Sequence, residues 1–144
     1  MLVQQILKSK PSDGVLTVTP GTAISEVADI LREKRIGGVV VSSDGETAEG
    51  ILSERDIVRA LSARGEGILG LTAEVLMTKN PVCATVDMSA EDVLEKMTEG
   101  RFRHMPVVQD GVLIGIVTIG DVVKAQLSHL HAEKTALEGM IMGH

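Results

Sequence analysis

Residues 50–61 read GILSERDIVRAL, and residues 115–126 read GIVTIGDVVKAQ. Each stretch is an apolar run that halts at a hydroxyl residue and resumes with helical spacing. An aspartate follows the hydroxyl by three positions, pairing Ser53 with Asp56 and Thr118 with Asp121. A hydroxyl at such a strand-to-helix turn accepts from the free N–H groups of the first helical turn, and an acid three residues on reaches back to the hydroxyl residue's own N–H. Aspartate stands where glutamate or glutamine is usual, so the capping box is an imperfect match. The same position also suits a ligand. A helix start offers unpaired N–H groups and partial positive charge to a phosphate or sugar oxygen. An ionised carboxylate there can accept from both vicinal hydroxyls of a ribose. At the level of the motif, capping and ligand binding are both open.

Outward from these stretches, the whole chain is written twice. LVQQILKSKP (2–11) is echoed by TAEVLMTKNP (72–81), TVTPGTAISEVADIL by ATVDMSAEDVLEKM, and RIGGVVVSSDG by RFRHMPVVQDG. The offset drifts between about 65 and 70 residues, and a period this long present only twice implies two similar subdomains, not an open solenoid. Each copy starts with a short apolar strand, residues 15–18 or 82–86. A helix follows, with Thr22 or Ser89 as its N-cap and apolar residues at helical spacing: Val27, Ile30 and Leu31, or Val93, Leu94 and Met97. Two strands come next, joined by hairpin signals at Asp44-Gly45 and Asp110-Gly111, and then a second helix. The order βαββα in each half predicts an α/β (α+β) fold. Each half, at about 60 residues, is too small to bury an adequate core alone, so the halves must pack on each other. Repeat 1 takes residues 1–66, repeat 2 residues 67–127, and a helical tail residues 128–144.

The 144 residues are 44% hydrophobic, ample for a folded interior. No apolar run is long enough to span a membrane, the N-terminal stretch lacks the features of a secretory signal, and Cys83 stands alone. These features point to the cytoplasm. Net charge is −6 and no basic tract stands out, which argues against nucleic acid as a partner. With no Trp, no Tyr and a single Phe, a bound base must lie between aliphatic walls. Ser53, His104 and Asp121 are the residue types of a catalytic triad, but no G-x-S-x-G elbow surrounds the serine. No P-loop and no metal-ligand spacing is present either: His129 and His131, two apart on a helix, point to different faces. The expectation is a chain with no catalytic residue and no metal.

The paired repeats, each ending in G-h-h-[ST]-x-x-D with h apolar, resemble a tandem pair of CBS (cystathionine-β-synthase) domains, also called a Bateman module. HMPVV at 104–108 is similar to that family's x-x-[LM]-P-V-V element, and the resemblance runs from about residue 2 to residue 127. It implies two repeats packed about a pseudo-twofold axis with two clefts. Each cleft would bind an adenosine-containing ligand: AMP, ADP, ATP, S-adenosylmethionine or a dinucleotide such as NAD(H). By the resemblance, Asp56 and Asp121 bind ribose hydroxyls, and Ser53 and Thr118 bind ribose or phosphate. The adenine paired with Asp56 meets Ala84, Thr85, Met105 and Pro106. The adenine paired with Asp121 meets Thr17, Val18, Gly38 and Val39. Arg103 and His104 stand where related modules carry phosphate-binding cations. Repeat 1 has Gly37-Gly38 there, with Arg55 as a possible compensation, so the resemblance predicts unequal sites or one ligand spanning both. The function implied is a regulatory adenine-nucleotide sensor; the alternative is an interaction module that needs no ligand. Arg35 and Arg59 read as surface charges, and Cys83 as a small apolar residue.

Past the second motif, Val123, Leu127, Leu130, Lys134, Leu137 and Ile141 alternate spacings of four and three. This is a coiled-coil-like seam with one polar interruption. It fits packing on its own domain, a second copy (a homodimer) or another protein, with Met140 and Met142 as adaptable contacts.

Overall fold

The computed structural model describes residues 1–10 and 15–141, so Met142 lies outside the described residues. In the first half, β1 (Thr17–Val18), α2 (Ile24–Lys34), β2 (Gly38–Val41), β3 (Gly50–Ser53) and α3 (Glu54–Arg64) follow a leading helix, α1 (Val3–Ser9). After a 3-10 turn at Glu66–Gly70 come α4 (Ala73–Leu76), β4 (Thr78–Lys79), α5 (Ala90–Gly100), β5 (His104–Gln109), β6 (Val112–Thr118) and α6 (Ile119–Ile141). One sheet has the order β1-β2-β3-β4, parallel between β1 and β2 and antiparallel beyond; β5 and β6 form a separate antiparallel pair. Asp110 and Gly111 both have positive φ, 52° and 79°, and join Gln109 to Val112. That is the twist a two-residue hairpin requires. The loop at Asp44-Gly45 is longer, and the Asp44 carboxylate organises it by accepting from the N–H groups of Glu46 and Thr47, both at 2.8 Å.

Two local expectations are corrected. Residues 82–86 do not form a strand; only Ala84 bridges to Val107, in parallel. The backbone there serves another partner, because the Val86 and Met88 carbonyls accept from the N–H groups of Gln4 and Val3, which open α1. Thr22 is not the N-cap of α2. That position is Ala23, the counterpart of Ser89, and the Ile24 N–H donates to the Leu71 carbonyl from the inter-repeat segment at 2.8 Å. The Thr22 hydroxyl pairs with that of Thr19. Ser89 does cap α5, its Oγ accepting from Asp92 N–H at 3.1 Å.

The leading helices exchange partners. Val3 and Ile6 of α1 are buried in the core of repeat 2, with Val93, Met97, Met105, Val107 and Val117. Ile68 and Ala73, at the start of repeat 2, are buried in the core of repeat 1, with Val27, Leu31, Val39 and Leu52. The contacts repeat in pairs, as a twofold relation requires. Leu2 bridges Ser89 as Thr72 bridges Ala23, and Ala90 N–H donates to the Met1 carbonyl as Ile24 N–H does to that of Leu71. Fully burying one such aliphatic side chain contributes about 1.5–3 kcal/mol. Against a total stability of about 5–15 kcal/mol, the exchange is a large part of what holds the halves together.

The glycine that opens each quoted stretch follows from this exchange. A Cβ on Gly115 would stand 2.7 Å from Leu7 Cδ2 of α1, and one on Gly50 would collide with Met77, which follows α4. Both glycines leave room for the other repeat's leading segment.

Candidate functional site

Both helix starts are capped as the motif predicts. Asp56 Oδ2 accepts from the Ser53 N–H at 2.9 Å and from its hydroxyl at 3.0 Å, while Asp56 N–H donates to Ser53 Oγ at 3.3 Å. Asp121 Oδ2 accepts from Thr118 N–H at 2.9 Å, and Asp121 N–H donates to Thr118 Oγ1 at 3.1 Å. The turns are further tied by backbone: Glu54 N–H donates to the Gly37 carbonyl, and Ile119 N–H to that of Arg103. In both boxes the cap bonds fall on Oδ2, and among the described residues Oδ1 of each aspartate has no partner. One difference is sharp. Lys10, just past α1, donates from Nζ to Asp121 Oδ2 at 2.9 Å and to the Ile116 carbonyl at 2.8 Å. Asn80 holds the matching place after α4, and no cation reaches Asp56 from there.

A cavity of about 770 Å³ adjoins Thr118 and Asp121, walled by Val15, Leu16, Ile36 and Ile116 and bordered by Lys10, Lys34 and Arg35. A smaller one, about 210 Å³, adjoins Ser53 and Asp56, and is ringed by Arg55, Arg59, Arg101 and Arg103, with Phe102 and Thr78. Each cavity takes its aspartate from one repeat and most of its other walls from the opposite one.

His104 borders both cavities. Its imidazole lies over the backbone of Gly37 and Gly38: a Cβ on Gly38 would be 3.0 Å from His104 Cδ2, and one on Gly37 3.1 Å from Nε2. The two glycines therefore do more than omit a pair of cations; they make room for the ring from the other repeat. Burial is the main cause that holds His104 below its ordinary pKa, against the opposing pull of Glu54 and Asp56. The ring is thus uncharged at neutral pH, and Arg103 is the cation of that pair.

Among the residues expected at the adenines, only Gly38 lines a cavity. Val18, Val39, Ala84 and Met105 are 6%, 1%, 0% and 0% exposed, and Pro106 is buried as well, so these five lie beneath the surface. Thr17 is half-buried beside Leu16, and the exposed Thr85 hydroxyl donates to Asp87 at 2.6 Å. Lys10, Lys34 and Arg101 also border the cavities, as do Arg35 and Arg59, which are the exposed charges expected of them but stand at the cavity rims. Two of these are marked by their backbone. Arg35 and Arg101 end α2 and α5 in the left-handed region, with φ of 55° and 57°, where glycine is usual. A non-glycine residue there costs about 1–2 kcal/mol, and both border a cavity at equivalent points of the repeat.

Among the described residues no group of His, Cys, Asp and Glu side chains is arranged to hold a metal ion, and no helix is long and apolar enough to cross a membrane. The Cys83 thiol is half-buried, donates to the Pro81 carbonyl and is held above its ordinary pKa by burial.

A family model described as CBS domain matches residues 3–63 and again residues 73–128. The crystal structure of the CBS-domain containing protein ATU1752 from Agrobacterium tumefaciens is similar at TM-score 0.82 and 42% identity, covering 88% of this chain and 99% of that one. The CBS domain protein PAE2072 from Pyrobaculum aerophilum, solved in complex with AMP, is similar at TM-score 0.73 and 26% identity, over 84% of this chain and 89% of that one. The CBS domain-containing protein CBSCBSPB2 of Arabidopsis thaliana is 30% identical over 124 residues, 86% of this chain and 23% of its own length. The chain thus spans less than a quarter of that relative. Two matched repeats, each closed by a capped aspartate and each completing the other's core, make this chain a tandem pair belonging to the CBS domain family.

Proposed function

We propose that the chain is a cytosolic regulatory module that binds an adenine nucleotide, of the AMP, ADP, ATP or NAD(H) kind, and passes its occupancy on to another molecule. The observation that carries this reading is the recurrence, twice in one chain, of a helix-capping carboxylate facing cations from the opposite repeat across a cavity. The cavity at Asp121 has the volume of a small-molecule site. Its aliphatic walls suit a purine, the Asp121 carboxylate suits the ribose diol, and Lys34 and Arg35 suit a phosphate. In the smaller cavity Asp56 and Ser53 take the same roles, with Arg55 and Arg103 toward the phosphates. Gly38 borders the base in the larger cavity, while Thr17, Val18, Val39, Ala84, Thr85, Met105 and Pro106 line neither cavity and bear on a base only through the residues that do. The AMP bound to PAE2072 supports the ligand class. The reading is not catalytic: the Ser53 hydroxyl is held by Asp56.

A ligand held by both repeats favours one relative orientation of them, so occupancy shifts that population. Helix α6 leaves directly from the Asp121 motif and is placed to transmit the change to a partner or a second copy.

A second reading, an interaction module without a ligand, draws on the capping itself, since both aspartates already have partners within the chain. Calorimetric titration with AMP, ATP, NAD and S-adenosylmethionine separates the two. The first reading expects saturable heat that Asp121→Asn or Asp56→Asn reduces. The absence of heat with all four, and of co-purified material absorbing near 260 nm in a chain without Trp or Tyr, would leave the second.

A further inference from the structure

Among the described residues, nothing in its own chain buries the second half of α6. Among the α6 residues only Val122 and Ala125 are buried, while the seam turns outward: Val123 is 46% exposed, Leu127 62%, Leu130 59%, Leu137 59% and Ile141 83%. Most of the surface of Leu127, Leu130, Leu137 and Ile141 is thus left uncovered by the described residues of their own domain, while Val123 is about half covered. A spacing that alternates four and three is the repeat of a helix facing another helix, and from Val123 to Ile141 the seam runs about 27 Å at 1.5 Å per residue. The first turns of α6 are already ordered by β6, α5 and the Thr118–Asp121 cap, which removes the costly helix nucleation that makes short isolated coiled coils unstable.

We propose that the occupant of this seam is α6 of a second copy, running antiparallel and centred near Ala132. This rests on the self-association allowed for α6 above and gives it a geometry. An antiparallel pair places each core residue opposite one whose number falls equally far beyond the centre. Val123 then meets Ile141 of the second copy, Leu127 meets Leu137, and Leu130 meets Lys134, whose stem covers the leucine while its ammonium reaches solvent. By symmetry each layer occurs twice.

Charge chooses the direction. In the antiparallel register the flanking Lys124 lies beside Glu138 of the second copy, again twice. A parallel pair in the same heptad frame would set Glu133 against Glu138 of the second copy, two like charges at each seam edge. The antiparallel centre does bring the two Glu133 side chains together, but a Lys134 from each chain lies beside them. The intrachain contacts of these groups, His129 with Glu133 at 3.1 Å and Lys134 with Glu138 at 3.9 Å, are exposed and so hold them only weakly.

The test has two parts. Sedimentation equilibrium at low salt follows the dimer of the full chain. Glu138→Lys is expected to raise the dimer dissociation constant about tenfold, and Lys124→Glu with Glu138→Lys to restore it. The double variant does not rebuild the Lys134–Glu138 contact, so recovery reports the pairing between copies. Disulfide trapping then reads direction on a Cys83→Ser background. Chains carrying Leu127→Cys mixed with chains carrying Leu137→Cys should cross-link to each other, and neither should cross-link to itself. Self-cross-linking of Leu127→Cys would establish a parallel pair and overturn the proposal. A dimer whose dissociation constant ignores the charge swap would overturn the register while leaving self-association intact. A monomer at every concentration would remove both.

Discussion

Lys10 Nζ sits 2.9 Å from Asp121 Oδ2, joining the end of the first helix to the first turn of the last across 111 residues of the chain. Both side chains are mostly buried, at 23% and 22% exposure, and the lysine also donates to the Ile116 carbonyl. Charged hydrogen bonds of this kind contribute about 1.5–3 kcal/mol each. Lys10→Met should therefore lower the urea midpoint with the m-value unchanged. In a double-mutant cycle with Asp121→Asn the two losses should fall short of additive by about 1 kcal/mol or more. Strict additivity would show that the pair adds nothing to the cap.

Gly115→Ala tests the exchange of leading helices. In a strand, replacing glycine by alanine normally stabilises by reducing the freedom of the unfolded chain. Here the added methyl would meet the tip of the Leu7 side chain, Cδ2 at 2.7 Å, so the leucine must turn aside and the usual gain of about 0.4–1 kcal/mol should be cancelled or become a small loss. Combining it with Leu7→Ala should restore part of that gain relative to the sum of the two. Equilibrium urea unfolding of the four chains reads the result.

Arg35→Gly and Arg101→Gly should move stability and affinity in opposite directions. Each relieves a left-handed backbone that costs an arginine about 1 kcal/mol or more, so each variant should be more stable by about that amount. If the guanidinium contacts a phosphate, AMP affinity should fall about tenfold or more, the equivalent of one charged hydrogen bond. Greater stability with unchanged affinity would mark the arginines as bystanders.

His104 gives the protein a pH dependence of known sign. Burial, helped by Lys10 and Arg103 and opposed by Glu54 and Asp56, holds its folded pKa below the ordinary value of 6.5. The neutral ring is the form the fold accepts. Its contribution is therefore complete above about pH 6.5 and is lost as pH falls through that value toward the folded pKa. Unfolding free energy measured from pH 7 to pH 5 should decline, and His104→Gln should remove part of the slope. An identical slope in the variant would assign the decline to other groups.

How far the sequence carried this reading can be judged from single residues. Ser53 with Asp56, Thr118 with Asp121, Ser89 as a cap and the Asp110-Gly111 hairpin were all legible, because their partners lie within a few residues and fixed spacing determines the hydrogen bond. The buried positions of α2 and α5 followed from period, and the long-range repeat disclosed two subdomains that had to share a core. Thr22 and residues 82–86 were misread for one reason. The groups that decide them, the Leu71 carbonyl and the N–H groups of α1, arrive from the other repeat.

The same division explains the site. Composition, periodicity and local caps determined the two motifs, the paired architecture and the helical seam of α6. Tertiary structure alone decided that Lys10 meets Asp121, that His104 fills the space over Gly37 and Gly38, and that Arg101 comes to the cavity beside Asp56. Contacts within one turn of helix are written in spacing; contacts between repeats depend on which surfaces meet once apolar area is buried, and no local pattern encodes that meeting.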